Sequence, residues 1–301
     1  MGRWPKAAIP RTTTAAAQTA APTTTPLGTR ALIAGCLPFA KKEKPPSMRT
    51  DDMAHRLGRR FQSHHPATVA VGIAVAGALL LTLIVVGIGL SLTEGLLSGP
   101  LGRWDERVND WFLAHRTAGL DPWAHLGSTI AITGSVLAVA AVVVIVLLIA
   151  RRWTDAAFLV TALAVEVSVF LITTVLVARP RPTVPQLEPA PPTSSFPSGH
   201  TAAAIALYVG LAMLLSPHVR STVLKALLWV VAISIPVFVA VSRVYAGMHH
   251  VTDVLASVIV GAGALMVSSL AIRTAVVIRD AHEVRNEETG DRVLVSGEVT
   301  G

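Results

Sequence analysis

The chain has 301 residues, 52% of them hydrophobic and only 14% charged, with a mean hydropathy of +0.60, which excludes an ordinary water-soluble domain and points to a membrane protein. A net charge of +7 raises nucleic acid as a partner. The basic residues are dispersed along loops rather than gathered with aromatics on one face, so membrane lipids are the expected partners and nucleic acid is not.

Residues 1–47 are rich in Ala, Thr and Pro and end in Lys41, Lys42, Lys44, Pro45 and Pro46. They read as a disordered N-terminal extension, with translation expected to begin at Met48 or Met53. The single cysteine, Cys36, excludes an internal disulfide and a thiolate metal cluster. Residues 48–66 form a basic segment carrying Arg56, Arg59 and Arg60.

Crossing about 30 Å of hydrocarbon takes roughly 20 apolar residues. Six stretches qualify, near 67–93, 125–149, 155–178, 199–216, 222–242 and 251–272. The predicted fold is therefore all-α: a polytopic membrane protein with a six-helix transmembrane bundle over 67–275. Between the first two spans, Trp104, Val108, Trp111, Phe112 and His115 recur at helical spacing, with Asp105 and Glu106 placed in the first turn. This predicts a short amphipathic helix at the membrane interface. Residues 276–301 read as a polar tail.

Arg151 and Arg152, Arg220 and Lys225, and Arg273 and Arg279 fall on the same side as the basic segment. By the positive-inside rule that side is the cytoplasm, so both termini are expected there, in the plasma membrane of the cell. Glu166 lies near the middle of the third span, ~20 Å along a straight helix from Arg179. It is expected to make a structural hydrogen bond between helices rather than to serve chemistry.

Three segments on the opposite, outer side carry the polar chemistry: Arg179-Pro-Arg181-Pro182, Pro197-Ser198-Gly199-His200, and Ser242-Arg243 followed by His249 and Asp253. His249 and Asp253, four apart at the start of a helix, share a face. Asp253 can then fix the imidazole tautomer and leave the other nitrogen free to attack. Alone, such a pair is equally compatible with two polar groups satisfying each other. Ser198 is a natural N-cap and Gly199 permits close backbone approach, so the N–H groups at that helix start suit a phosphate. His200 there can protonate a leaving oxygen. Arg181 and Arg243 offer planar, permanently charged donors for phosphate, whereas Arg179 reads either as a further phosphate ligand or as a side chain reaching lipid headgroups. His250 reads as interfacial.

Together the three segments resemble the type 2 phosphatidic acid phosphatase (PAP2) superfamily, whose third motif is Ser-Arg, five residues, His, three residues, Asp; here it reads Ser242-Arg243-VYAGM-His249-HVT-Asp253. The resemblance implies a metal-independent phosphatase without cofactors, in which His249 attacks phosphorus to give a phosphohistidine. His200 would act as general acid and base, Asp253 would orient His249, and Arg181, Ser198, Gly199 and Arg243 would bind phosphate. The implied substrate is a lipid phosphate, phosphatidate-like or a polyprenyl diphosphate, met at the outer face. One departure stands out: the lysine that opens the first motif falls at Thr174. Arg179 is the nearest candidate for the missing charge. The alternative is a weak or inactive relative that binds or transports lipid phosphates. A vanadium-dependent haloperoxidase, with similar anion ligands, is a poor match for six apolar spans.

Overall fold

The computed structural model describes residues 48–96 and 99–298; the expectations for 1–47 lie outside them. No β-strand occurs among the described residues. The helices, in chain order, are α1 (Met48–Arg60), α2 (Pro66–Ser91), α3 (Pro100–Ala114), α4 (Asp121–Ala131), α5 (Thr133–Ile149), α6 (Trp153–Leu176), α7 (Gly199–Ala204), α8 (Gly210–Leu215), α9 (Thr222–Tyr245) and α10 (Val251–Glu298). A π-helical turn, Ile205–Val209, joins α7 to α8 as one span.

Five spans are single continuous stretches: Pro66–Glu94, Trp153–Leu176, Gly199–His218, Thr222–Tyr245 and Val251–Glu287. The sixth is α4 plus α5, bent by 49°. The bend sits at Ile132, whose backbone is extended (φ −64°, ψ 145°), and the Tyr208 hydroxyl donates to the freed Ile130 carbonyl at 3.3 Å. A broken helix is tolerated at membrane depth when another side chain takes up the released backbone groups. Leu79, Leu83, Val142, Ile145, Val175, Leu227 and Val230 point outward and exposed, an arrangement that suits hydrocarbon and would aggregate in water. The protein is a multi-pass membrane protein.

Helices α2, α6 and α10 pack against one another around Leu81, Val85, Val165, Val169, Val260 and Ala264, and the loop residues Val177 and Phe196 close the top of that core. Lipid tails are as apolar as these side chains, so close packing supplies the cohesion, not exclusion from water. The connections sort into two ends. One end gathers α3, the start of α4, the loop 177–198 and the turn 246–250, joined by bonds such as Arg116 Nε to the Tyr245 carbonyl at 3.0 Å. The other gathers α1, Arg152, His218 and Arg273, where Arg152 reaches the Leu214 carbonyl and Arg273 pairs with Asp51. Trp104, Trp111 and Trp123 lie exposed at the first end and Trp153 at the second, as aromatic belts do.

Four features extend or correct the sequence expectations. The basic segment is an amphipathic helix, α1, whose Ala54 is buried and whose Gly58 backbone lies against Val277 of α10. Helix α3 begins at Pro100, which places Asp105 and Glu106 beyond its first turn, and its buried face is Gly102, Asp105 and Asn109, while Trp104 and Trp111 face outward. Sequence periodicity marked the apolar stripe but not its direction; here the polar stripe faces protein, because partners for it wait there. Glu166 is buried in α6, yet its side chain makes no hydrogen bond to another described residue. Helix α10 also runs without a break through 275 to Glu298.

Candidate active site

The loop 177–198 is built from residues that cannot continue a helix: Pro180 and Pro182 lack the N–H a further turn needs, so α6 ends at Leu176. The loop then doubles back on itself. Ser195 N donates to the Arg179 carbonyl (3.0 Å), Ser195 Oγ to the Pro180 carbonyl (2.9 Å), and Arg179 N to Ser194 Oγ (3.2 Å). The first and second motifs are thereby zipped side by side. The third motif reaches them through a tight turn after α9. There Met248 N donates to the Arg243 carbonyl (3.1 Å), and Gly247 adopts φ 70° in a place where a Cβ would strike Arg116 and Val184 at 2.8 Å. Only glycine meets both conditions.

His249 is buried, 4% exposed. Its Nδ1 lies 2.7 Å from the Ser195 carbonyl, which can only accept, so Nδ1 carries the proton and Nε2 presents a lone pair. No described residue donates to Nε2. The expected orienting bond from Asp253 is not the one that forms: Asp253 Oδ2 is 3.8 Å from Nδ1, too far for a hydrogen bond. Asp253 instead reaches back from the third position of α10 to accept from His250 N at 2.8 Å, as in a capping box, and its Oδ1 is held by Arg179. Burial lowers the basicity of His249, opposed by the nearby Asp253 charge and reinforced by Arg243 and Arg181.

Arg181 and Arg243 lie within electrostatic range of His249, and His200, half-buried at the start of α7, lies within range of Arg243, His249, Glu188 and Arg181. Arg181 donates through Nη1 to the Met248 carbonyl (2.7 Å), and burial beside Arg243 pulls its pKa down. Arg243, 2% exposed, is tied through Nη1 to Ser128 Oγ and to Glu188 Oε2 (2.7 Å). The Nε atoms of both arginines are buried without a partner, a costly state that an anion would relieve. Glu188 also meets His125 Nδ1 at 3.1 Å. Burial alone would raise its carboxyl pKa, but hydrogen bonds from Arg243, Ser128 and His125 outweigh that and hold it low.

Sequence reasoning missed Glu188, Ser128 and Ser195. Nothing local marks them, since a loop glutamate and a helical serine are common and a backbone carbonyl leaves no trace in side-chain pattern. Four other expectations shift. Arg179 does not reach headgroups or stand open to a ligand: its side chain has no exposure and is clamped between Asp105 and Asp253. Ser198 occupies the N-cap position without a side-chain capping bond, its hydroxyl accepting instead from Thr201 at 3.2 Å. Gly199 is required by Phe170, whose ring would lie 2.8 Å from an added Cβ. His250 is buried, 3% exposed, with Nδ1 near Asn109 Nδ2 (3.4 Å), and is not interfacial. Ser242 back-bonds to the Phe238 carbonyl at 2.8 Å within α9. Thr174, where the family lysine would fall, is buried with its hydroxyl unpartnered. Among the described residues no group of three or more His, Cys, Asp or Glu side chains is placed to hold a metal ion.

Fold and site together define a helical multi-pass membrane protein whose histidines and arginines converge at one end of the bundle. Residues 155–276 match the family model described as PAP2 superfamily. The chain is 44% identical over 62 residues to phosphatidylglycerophosphatase B of Bacillus subtilis, a match covering 20% of this chain and 30% of that relative's length. Its fold is similar to the crystal structure of the transmembrane PAP2-type phosphatidylglycerolphosphate phosphatase from Bacillus subtilis. That match has a TM-score of 0.51 and 21% identity, and covers 68% of this chain and 96% of that one.

Proposed function

We propose that the protein is a lipid phosphatase that hydrolyses a phosphomonoester or diphosphate carried by a membrane lipid, through a phosphohistidine formed at His249. The observation that carries this reading is the tautomer of His249: the Ser195 carbonyl holds the proton on Nδ1 and leaves Nε2 bare beside two arginines. Nε2 attacks phosphorus as the bond from phosphorus to the leaving oxygen breaks, and His200 delivers a proton to that oxygen. Water, losing its proton to His200, then attacks phosphorus and the P–N bond breaks, returning neutral His249 and releasing phosphate. The orphaned Nε donors of Arg181 and Arg243 and the free N–H groups at the start of α7 would carry the phosphoryl oxygens. Asp253 acts on His249 by charge at 3.8 Å and through the turn it caps.

The basic residues collected at the other end of the bundle support placing that end, with both termini, at the cytoplasmic side and the site at the outer face of the plasma membrane. Residues 67–275 are then the catalytic domain, flanked by the cytoplasmic segments 48–66 and 276–301. The partial relatedness to a phosphatidylglycerophosphatase makes phosphatidylglycerophosphate the first substrate to test, with phosphatidate and polyprenyl diphosphates beside it. Phosphate release by the purified protein in detergent should appear with at least one of them and vanish in His249→Ala. Release equal to wild type in that variant overturns the nucleophile assignment, and no release from any of the three points to the binding or transport alternative.

A further inference from the structure

The inward face of α3 is polar at a depth where polar groups need partners. Asp105 is 1% exposed, and its carboxylate accepts from Arg179 Nη2 at 2.9 Å, from Thr252 N at 3.2 Å and from the Thr252 hydroxyl. Arg179 in turn donates from Nη1 to Asp253 Oδ1 and to Thr252 Oγ1 (2.6 Å). One guanidinium thus joins two carboxylates, one from α3 and one from α10. A buried ion network of this kind is seldom the most stable filling for the space, so its presence asks for another reason.

We propose that Asp105 and Arg179 are positioning residues for the reaction: a clamp from α3 that turns Asp253 away from direct hydrogen bonding with His249 and sets the net charge the imidazole experiences. The inference rests on His249 as nucleophile. Asp253 carries one negative charge 3.8 Å from Nδ1. Arg179 offsets it, and Asp105 offsets Arg179, leaving the cluster one charge negative. The other charges facing His249 are Arg243 at the end of α9, Arg181 in the loop after α6, and His200 at the start of α7, with Glu188 on Arg243. All but Glu188 favour or tolerate a neutral imidazole. The clamp is therefore the counterweight that keeps His249 basic enough to accept a phosphoryl group while remaining unprotonated.

The charge count yields a test with a sign. Asp105→Asn keeps the acceptor for Thr252 N but removes one negative charge, so the cluster becomes neutral and the imidazolium of His249 loses support. Its titration midpoint should fall by roughly half a pH unit or more. Adding Arg179→Met removes the opposing charge, restores one net negative charge on Asp253, and should bring the midpoint back toward wild type. Arg179→Lys, which keeps the charge, should stay close to wild type and reports on folding. The measurement is 15N NMR of histidine-labelled full-length protein in detergent micelles, with the His249 signal assigned by its loss in His249→Gln; it needs no turnover. A midpoint in Asp105→Asn that is unchanged or raised overturns the proposal, as does a double variant that remains with the single. Phosphate release assayed on the same samples tests the nucleophile assignment separately: activity surviving in His249→Gln defeats that assignment while leaving the midpoints readable.

Discussion

Glu188→Gln should tighten the binding of phosphate. The Glu188 carboxylate sits 2.7 Å from Arg243 Nη1, in the place where a phosphoryl oxygen would find its donor, and on phosphate binding it must yield that contact or lie beside a second anion. Two unit charges about 4 Å apart interact by about 1 kcal/mol in water and about 4 kcal/mol at the effective dielectric of a protein surface. The Glu188 side chain is 18% exposed and Arg243 3%, so screening acts mainly on the glutamate side. The buried half of the pair keeps the effect from vanishing, and an estimate near the lower bound, about 1 kcal/mol, converts to about a fivefold change in affinity. Gln retains the size and one acceptor, so Arg243 keeps a partner while the competing charge is gone. The assay is inhibition by inorganic phosphate or vanadate at fixed pH, together with KM for the preferred lipid: both constants should fall about fivefold in Glu188→Gln. Weaker inhibition in the variant would refute the reasoning, because it would mean that Glu188 organises Arg243 for the anion rather than competing with it.

Because burial holds the pKa of His249 below its ordinary value, the neutral nucleophile persists as pH falls through 6.5, so the acid limb of kcat/KM assigned to His249 should lie below that point; a limb above it contradicts the burial argument. Arg181→Ala removes a donor to the Met248 carbonyl and an orphaned Nε from the site, and should lower kcat/KM by 10-fold or more on a charge-assisted bond of about 1.5–3 kcal/mol, measured by phosphate release. Gly199→Ala drives a methyl into Phe170 at 2.8 Å and should cost about 1–3 kcal/mol, read as a lowered Tm in detergent; Phe170→Leu in the same chain should recover part of it.

The sequence by itself determined the membrane class, the number of spans and the three polar segments that meet at one end. Those properties are written in short windows: twenty apolar residues must cross hydrocarbon, and proline, glycine and a four-residue His–Asp spacing act within one or two turns. It also named Arg181, His200, Arg243 and His249 as neighbours, through a resemblance that covers motifs far apart in the chain. The tertiary structure alone decided which polar atom meets which. Arg179 finds Asp105 and Asp253 across 74 residues in each direction, and His249 takes its orienting bond from a carbonyl 54 residues away. A guanidinium at a membrane edge has the same sequence signature whether it reaches water or two buried carboxylates. The choice follows from where α3 places its polar face, and that depends on the packing of the whole bundle, which no local window encodes.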